Sequence, residues 1–420
     1  MKDYIEMWKE LDLDLSAHDE LLKVLSGFYQ DIYLSQQDRP KGMGYFDFVM
    51  SEIHGLRVKE LVEAKKQGQK VFGTFCVFVP EELIWAVDGI CVGLCAGAEA
   101  GKEEAERVLP RTLCPLIKSF MGFKIARLCP FIEVSDLIIG ETTCDGKKKT
   151  FEILSSFKPT YVMEIPQMKK QNDFNLLKEE VLKLKDEIEK TSNKKITEEN
   201  LSDAIRLINK RRKALQRLNK LRQKNPFVIS GKDALLVNQI SFYDDPVRFT
   251  EKVNILCDEL EDKIDKKQVQ DKARILISGC PMAVPNWKIP HIVESSNAVI
   301  VDEESCIGER NTRELVDESG NTFEEMIDNI VKRYIKIDCA CFTPNEERIE
   351  NIVSLAKKYK VDGVIHYTLQ YCDPYLIEAY RVEKALEKES IPVLRIETDY
   401  SLEDTEQLKT RVEAFVEMLK

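Results

Sequence analysis

The chain has 420 residues, of which 43% are hydrophobic and 32% charged, and its formal net charge is −11. This length allows two or three domains, each with its own core. The negative charge argues against non-specific binding to nucleic acid or anionic membranes, since both need an excess of Lys and Arg. No apolar run approaches the roughly 20 residues of a membrane span, and the first residues lack the apolar core of a secretory signal. We therefore expect a cytoplasmic protein that binds neither nucleic acid nor membranes.

Twelve cysteines are many for such a protein, and they stand beside only four histidines. A reducing compartment keeps cysteine pairs reduced, so structural disulfides are disfavoured. Metal binding is the leading alternative use of so much sulfur. The scarcity of histidine disfavours a His-rich zinc or non-haem iron site.

The first half of the chain is predicted to contain an N-terminal helical segment and an α/β domain. Residues 1–65 read as helical, and residues 66–170 alternate short apolar runs with helix signals. Two of these runs lead into Cys76 and Cys144, and a third closes at Pro166. Each of the first two is predicted to be a strand followed by a loop and a helix.

Residues 171–270 are predicted to form a helical insertion. Apolar residues recur at alternating steps of four and three among many Lys and Glu, and Thr197 begins a second helix of the same kind. The pattern predicts an antiparallel hairpin with a coiled-coil-like seam. Two interpretations stay open, an arm packed on its own domain and a dimerisation arm.

Residues 271–420 are predicted to form a second α/β domain, in which four apolar runs alternate with helical patterns. Alternating strands and helices imply a parallel sheet with right-handed crossovers. The expected fold class is thus α/β, with two parallel-sheet domains facing a shared cleft. In such sheets, ligands bind beyond the carboxyl ends of the strands.

Many of the cysteines are predicted to lie at those strand ends or in nearby loops. The positions are Cys76, Cys144, Cys280, Cys306 and Cys372 after strands, Cys114 and Cys129 in a Pro-flanked segment, and the pair Cys339 and Cys341. The compact Cys-x2-Cys spacings of ferredoxins and zinc ribbons are missing. The sequence therefore predicts a dispersed thiol site that the fold assembles. Cys91 and Cys257 are interpreted as small buried hydrophobes.

Nucleotide motifs are absent from the sequence. The segment from Gly140 to Gly146 resembles a phosphate loop, but five residues separate the glycines and Lys148 stands where a Ser or Thr should bind magnesium. Any ATP dependence must therefore come from another chain. Lys147 and Lys148 begin a helix, where they are either solvated or balance the negative charge of a cluster.

Five motifs, taken in order, resemble the 2-hydroxyacyl-CoA dehydratase and benzoyl-CoA reductase superfamily. They are Gly-Thr-Phe-Cys at 73–76, Pro-Glu-Glu-Leu at 80–83, Leu-Cys-Pro-Leu-Ile-Lys-Ser at 113–119, Gly-Glu-Thr-Thr-Cys-Asp-Gly-Lys-Lys-Lys at 140–149, and Leu-Gln-Tyr-Cys-Asp-Pro at 369–374. The extra cysteines and the Asp-Gly-Lys-Lys-Lys form resemble one branch, the double-cubane cluster proteins.

This resemblance implies a fold, a cofactor and a partner. Members hold cubane clusters between two flavodoxin-like or Rossmann-like domains and receive electrons from a separate ATP-hydrolysing activator with its own 4Fe-4S cluster. In the double-cubane branch two cubanes share a bridging sulfide, which gives an 8Fe-9S cluster with about six cysteine ligands. The resemblance also makes a homodimer the expected assembly.

Carried over residue by residue, the resemblance implies a ligand set. Cys76, Cys114 and Cys372 match the single cubane of the superfamily. The second cubane would be held by Cys129, Cys144 and one of Cys306, Cys339 and Cys341, of which we choose Cys339. Lys147 and Lys148 are candidate cofactor-binding residues, and Glu141, Asp145 and His366 are candidate proton donors.

The expected function is that of an anaerobic iron–sulfur oxidoreductase. The chain would use a double-cubane cluster, charged with low-potential electrons by the activator, to reduce a small molecule. The alternatives are a 2-hydroxyacyl-CoA dehydratase-type enzyme with a single 4Fe-4S cubane and a non-catalytic electron-storage protein.

Overall fold

The architecture is two parallel four-stranded sheets surrounded by helices. The computed structural model describes residues 4–264 and 271–419, and within these ranges its eight strands divide equally between two sheets. The first sheet contains β1 (Val71–Thr74), β2 (Ile90–Gly93), β3 (Leu137–Glu141) and β4 (Thr160–Met163), and the second contains β5 (Ala273–Gly279), β6 (Ala298–Glu303), β7 (Gly363–Leu369) and β8 (Val393–Thr398). The predicted α/β class with two parallel-sheet domains is confirmed. The domain boundary predicted at 270/271 adjoins residues 265–270, which lie outside the described part.

Both sheets share one topology, with orders β2-β1-β3-β4 and β6-β5-β7-β8. Every pair of neighbouring strands is parallel. In each sheet the chain changes direction after its first two strands, so the next strand lies on the other side of the first. That change makes a switch point at the carboxyl ends of β1 and β3, and another at the carboxyl ends of β5 and β7.

Helices cover the sheets and fill the insertion. They are α1 (Ile5–Glu10), α2 (Leu15–Tyr29), α3 (Met43–Ser51), α4 (Leu56–Lys66), α5 (Glu81–Trp85), α6 (Lys102–Ala105), α7 (Pro115–Ile125), α8 (Pro130–Val134), α9 (Asp145–Leu154), α10 (Gln171–Ser192), α11 (Glu198–Arg222), α12 (Gly231–Ile240), α13 (Pro246–Lys263), α14 (Lys288–Ser295), α15 (Glu309–Thr312), α16 (Phe323–Ile335), α17 (Glu346–Lys358), α18 (Asp373–Lys388) and α19 (Thr405–Met418). Among the described residues, none of these helices combines the length and the apolar character that crossing a bilayer requires.

The N-terminal helices pack onto the second domain through aromatic side chains. Trp287 is fully buried, and its ring lies 5.6 Å from Phe28, 5.6 Å from Tyr29 and 5.1 Å from Tyr33, measured between ring centroids. Offset and edge-on aromatic pairs at these separations are favourable beyond the area they bury. The N-terminal segment is therefore anchored to the second domain by its own aromatic residues.

Helix α11 holds the two sheets in their relative position. Arg212 donates to Glu82 of α5 at 2.6 Å, and Tyr334 of α16 donates to the other oxygen of the same carboxylate at 2.7 Å. Ten residues further along the helix, Arg222 makes a bidentate pair with Glu303 of β6 at 2.8 and 2.9 Å. All these groups are buried. One helix thus binds elements of both domains through charge-assisted hydrogen bonds.

The apolar seam predicted for the hairpin is buried, but chiefly against other helices. Helix α10 packs mainly on α16, and α11 on α13 and α5. Leu184 and Ile205, from the two sides of the expected seam, lie in a core that also contains Ile330. The prediction that the two helices pack mainly on each other is therefore wrong, because α16 supplies the packing surface for α10, and α13 and α5 supply it for α11.

Candidate metal centre

A cavity of about 460 Å³ lies where the carboxyl ends of the two sheets face each other. Among the described residues, nine of the twelve cysteines form part of its wall. They are Cys76, Cys95, Cys114, Cys144, Cys280, Cys306, Cys339, Cys341 and Cys372. Six of them follow strands β1, β2, β3, β5, β6 and β7 directly or within three residues. The parallel topology therefore concentrates the sulfur at one place.

The cysteines Cys76, Cys306, Cys339 and Cys341 form what we call the first thiol set. The thiol of Cys76 interacts with that of Cys306, and this contact, with burial, raises the pKa of Cys76 well above its usual value. A hydrogen bond from Cys341 lowers the pKa of Cys339 to about 5. The set is thus two hydrogen-bonded pairs of thiols that also influence each other electrostatically.

The cysteines Cys114, Cys144, Cys280 and Cys372 form the second thiol set. Cys372 contacts the thiols of both Cys114 and Cys280. Burial raises the pKa of Cys144 to about 11, with a smaller contribution from Cys114. Cys339 also acts on Cys144, so the two sets adjoin across the cavity.

Helix N-termini point backbone amides at the second set. Cys114, Cys144 and Cys372 are the N-cap residues of α7, α9 and α18. The amide of Lys147 donates to the sulfur of Cys144 at 3.4 Å, and the amide of Leu369 donates to that of Cys280 at 3.4 Å. Amides and helix dipoles in this arrangement stabilise negative charge on sulfur.

A buried arginine faces the first set. Arg310 has no exposed side-chain surface, and its Nη1 lies 3.3 Å from Cys306 Sγ and 2.7 Å from Tyr375 Oη. Its guanidinium also pairs with Glu304, which Arg348 contacts from the other side. Tyr375 Oη lies 3.7 Å from Cys339 Sγ.

The two lysines at the start of α9, Lys147 and Lys148, lie in different surroundings. Lys147 lines the cavity and pairs with buried Glu141, and its charge opposes the rise in the pKa of Cys76. Lys148 is outside the cavity wall and pairs with Asp145 at 2.6 Å. Lys147 is therefore the lysine that lies on the cavity wall, whereas Lys148 lies outside it and still interacts with the charge of Cys144.

The three candidate proton donors lie in different surroundings. Glu141 is fully buried behind Lys147 and is absent from the cavity wall. His366 also lies behind the wall, 3.3 Å from Ser278 Oγ, and burial lowers its pKa to about 4. Asp145 does line the cavity, but its carboxylate is 90% exposed and paired with Lys148, which lowers its pKa.

Of the six cysteines chosen from the sequence, Cys129 alone is away from the main cavity. It lies in a smaller neighbouring cavity of about 50 Å³ that it shares with His54 and Tyr243. Burial raises its pKa to about 12. The reason is local, because Cys129 caps the short helix α8 and faces Ile53 and His54 of the N-terminal segment.

Sequence reasoning missed Arg310 and gave no role to Cys280. Cys280 was placed after a strand, and that position alone could have included it in the site. Arg310 follows Cys306 by four residues, across the turn between β6 and α15, and their side chains meet there. That spacing was the available signal.

The fold and the cavity define a class, namely a two-domain α/β protein with a thiol-lined cleft between its sheets. A model of the 2-hydroxyglutaryl-CoA dehydratase D-component family matches residues 76–419. The chain therefore belongs to this family, and the superfamily resemblance seen in the motifs is confirmed.

Individual relatives cover nearly the same length. YjiM of Escherichia coli (strain K12), whose designation as a dehydratase subunit is provisional, is 37% identical over 363 residues, which are 86% of this chain and 94% of YjiM. The (R)-phenyllactyl-CoA dehydratase beta subunit from Clostridium sporogenes is 27% identical, over 86% of this chain and 97% of that subunit. One of the benzoyl-CoA reductase subunits of Thauera aromatica is 20% identical, over 84% of this chain and 91% of that protein.

Proposed function

We propose that this chain is the cluster-bearing component of an iron–sulfur reductase and that its cavity holds an 8Fe-9S double cubane. The observation that carries the proposal is the presence of two adjoining sets of four thiols on the wall of one cavity. Each set combines cysteines from the strand ends of both sheets, at the edge where α/β folds bind ligands.

The arrangement of the thiols suits a cluster better than a single ion. Within residues 4–264 and 271–419, no three His, Cys, Asp or Glu side chains converge closely enough to hold one metal ion. The sulfurs instead border a volume of about 460 Å³. Thiolates around an open volume fit a polynuclear iron–sulfur group, since soft sulfur ligands favour such clusters.

The proposed ligands are three thiols from each set. Cys76, Cys339 and Cys306 would hold one half, and Cys114, Cys144 and Cys372 the other. This choice keeps five of the six positions chosen from sequence and replaces Cys129 with Cys306. When bound, such a cluster accepts and donates electrons at low potential.

The protein environment favours the charged form of the site. Lys147 and Arg310 place cations beside the cavity, and helix N-terminal amides face the second set. These groups offset the cost of burying a negatively charged group in a low-dielectric site. Mostly apolar neighbours such as Phe242 and Ile117 restrict water.

The electron donor in this proposal is a separate ATP-hydrolysing activator with a 4Fe-4S cluster, and the electron acceptor is a small molecule. Membership of the dehydratase and reductase family supports a donor of this kind, and the chain's own sequence has no phosphate loop. A cytoplasmic location and a homodimeric assembly belong to the same proposal.

A dehydratase-type enzyme is the second candidate, favoured by the dehydratase beta subunits among the relatives. It would hold a single 4Fe-4S cubane through Cys76, Cys114 and Cys372. The structure divides these three between the two thiol sets, which favours the larger cluster.

Anaerobic purification followed by iron, sulfide and zinc analysis tests the proposal. The double cubane predicts about eight irons per chain, whereas the single cubane predicts about four. Zinc without iron contradicts both. Reduction of a small test substrate only in the presence of an activator and ATP then separates a reductase from an electron-storage protein.

A further inference from the structure

The two thiol sets differ in the charge that contacts them. A full cation meets the first set, because Arg310 Nη1 lies 3.3 Å from Cys306 Sγ with its side chain wholly buried. The hydrogen bonds that reach the second set at Cys144 and Cys280 come from backbone amides, which carry only partial charges. Burial increases the effect of this difference in charge, because electrostatic interactions are stronger in a low dielectric.

Tyr375 extends the effect of Arg310 to a second sulfur of the first set. Arg310 donates to Tyr375 Oη at 2.7 Å. A phenol has a single proton, and accepting the arginine bond leaves that proton free for another partner. Cys339 Sγ lies 3.7 Å from the same oxygen. Hydrogen bonds in such a chain polarise one another, so one guanidinium acts on Cys306 directly and on Cys339 through Tyr375.

Arg310 is fixed in this position from behind. Glu304 pairs with its guanidinium, and Asp338 lies 3.4 Å from its Nε. These carboxylates offset part of the positive charge. They accept hydrogen bonds from Arg310, Arg348, Arg313, Asn351, Ser278 and Gly279 rather than from the thiols. The group that contacts sulfur is therefore the cation.

We propose that Arg310 makes the first thiol set the half of the cluster site with the higher reduction potential, so that the first electron delivered settles on that half. This inference rests on the proposed function. Adding one electron from the low-potential donor adds one negative charge and breaks no bond, and Arg310 favours that charge at Cys306 and Cys339. Arg310 is in this sense a positioning residue that acts through the sulfur ligands.

The test is a dye-mediated reductive titration of the anaerobic holoprotein, followed by electron paramagnetic resonance with iron analysis of each variant. We expect two reduction waves in the unmodified protein. Arg310→Gln lowers the potential of the higher wave and leaves the lower wave in place. Tyr375→Phe keeps every charge and lowers the same wave by a smaller amount.

The control is Tyr400→Phe, which removes a buried hydroxyl that interacts with Cys114 and Cys280 of the second set and for which the described residues supply no hydrogen-bond partner. It leaves the higher wave unchanged. An Arg310→Gln protein that retains its iron with an unshifted higher wave overturns the inference but not the proposed function. If that variant loses iron, an unshifted higher wave in Tyr375→Phe overturns it instead. Absence of iron from the unmodified protein overturns the proposed function itself.

Discussion

At the scale of single residues, the ability of the cavity to bind a cluster depends on which cysteine side chains reach its wall and not on the number of cysteines alone. Cys129 and Cys306 both looked able to supply sulfur from the sequence. Only Cys306 lies on the cavity wall, because it leaves β6 at the carboxyl edge of its sheet, whereas Cys129 turns toward the N-terminal helices. The position of Cys306 after a predicted strand, in contrast to the Pro-flanked segment of Cys129, was the available signal that distinguishes the two outcomes.

The first prediction compares these two cysteines. Cys306→Ser should lower the iron bound per chain in anaerobically purified protein, because serine replaces a thiolate at the first thiol set. Cys129→Ser should leave the iron content unchanged, and Cys257→Ser, in the core of α13, serves as a second control. Loss of iron from Cys129→Ser with retention in Cys306→Ser would restore the sequence-based ligand set.

The second prediction concerns the glycine before Cys280. Gly279 has φ +118°, and a Cβ there would lie 2.0 Å from the carbonyl oxygen of Tyr367. Gly279→Ala should destabilise the fold by about 1–3 kcal/mol and should displace Cys280. Apart from its chain neighbours and the backbone of its own helix, no described atom lies within 4 Å of a Cβ added at Gly27 in α2, so Gly27→Ala should stabilise the fold by about 0.5–1 kcal/mol. Thermal unfolding midpoints measure both, and equal effects would contradict the assignment of strain to Gly279.

At the scale of elements, most of the fold was predictable because its strands are apolar runs bounded by turn residues. Seven of the eight strands in the described residues coincide with runs identified in the sequence. Strand β2 was missed because Cys91 there was taken only as a buried residue, although β2 is as long as β1 and β4. The packing partners of α10 and α11 were not predictable, because the apolar face of a helix shows that it is buried but not which element covers it.

The third prediction tests whether the buried ion pairs of α11 connect the two domains. Arg212→Met removes the arginine that donates a hydrogen bond to the buried carboxylate of Glu82, and breaking such a pair costs about 3–5 kcal/mol. The double variant with Glu82→Gln should recover part of this loss. Arg217→Met on the same helix removes partly exposed ion pairs to Asp258 and Glu261, worth about 0–1 kcal/mol. A denaturant-unfolding series measures all three, and an equal loss for Arg212 and Arg217 would refute the assignment.

The fourth prediction concerns acid sensitivity of the N-terminal helices. His18 Nε2 lies 3.0 Å from His54 Nδ1, and burial lowers the pKa of His18 to about 4 and that of His54 to about 3. An unfolded histidine titrates near pH 6.5. As pH falls from about 6.5 to about 4, the unfolded chain binds more protons than the folded one, so stability falls across that window. His18→Gln should make the dependence of the thermal midpoint on pH shallower there, and an unchanged slope would contradict this origin.

At the scale of the whole molecule, two sheets of identical topology bring their switch points to one cleft. The sequence could place thiols at strand ends, because a strand followed by a cysteine is visible in the pattern. It could not show that the thiols divide into two adjoining sets or that a buried arginine faces one of them. Those features arise from the meeting of segments separated by hundreds of residues, such as Cys76 and Cys306.

The central claim is that one double cluster bridges the two thiol sets, and anomalous diffraction at the iron edge from anaerobically grown crystals tests it most directly. A bridging double cluster predicts two adjacent iron centres in the cleft, one bordered by Cys76, Cys306 and Cys339 and the other by Cys114, Cys144 and Cys372. A single iron centre held by Cys76, Cys114 and Cys372, or no iron in the cleft, would contradict it.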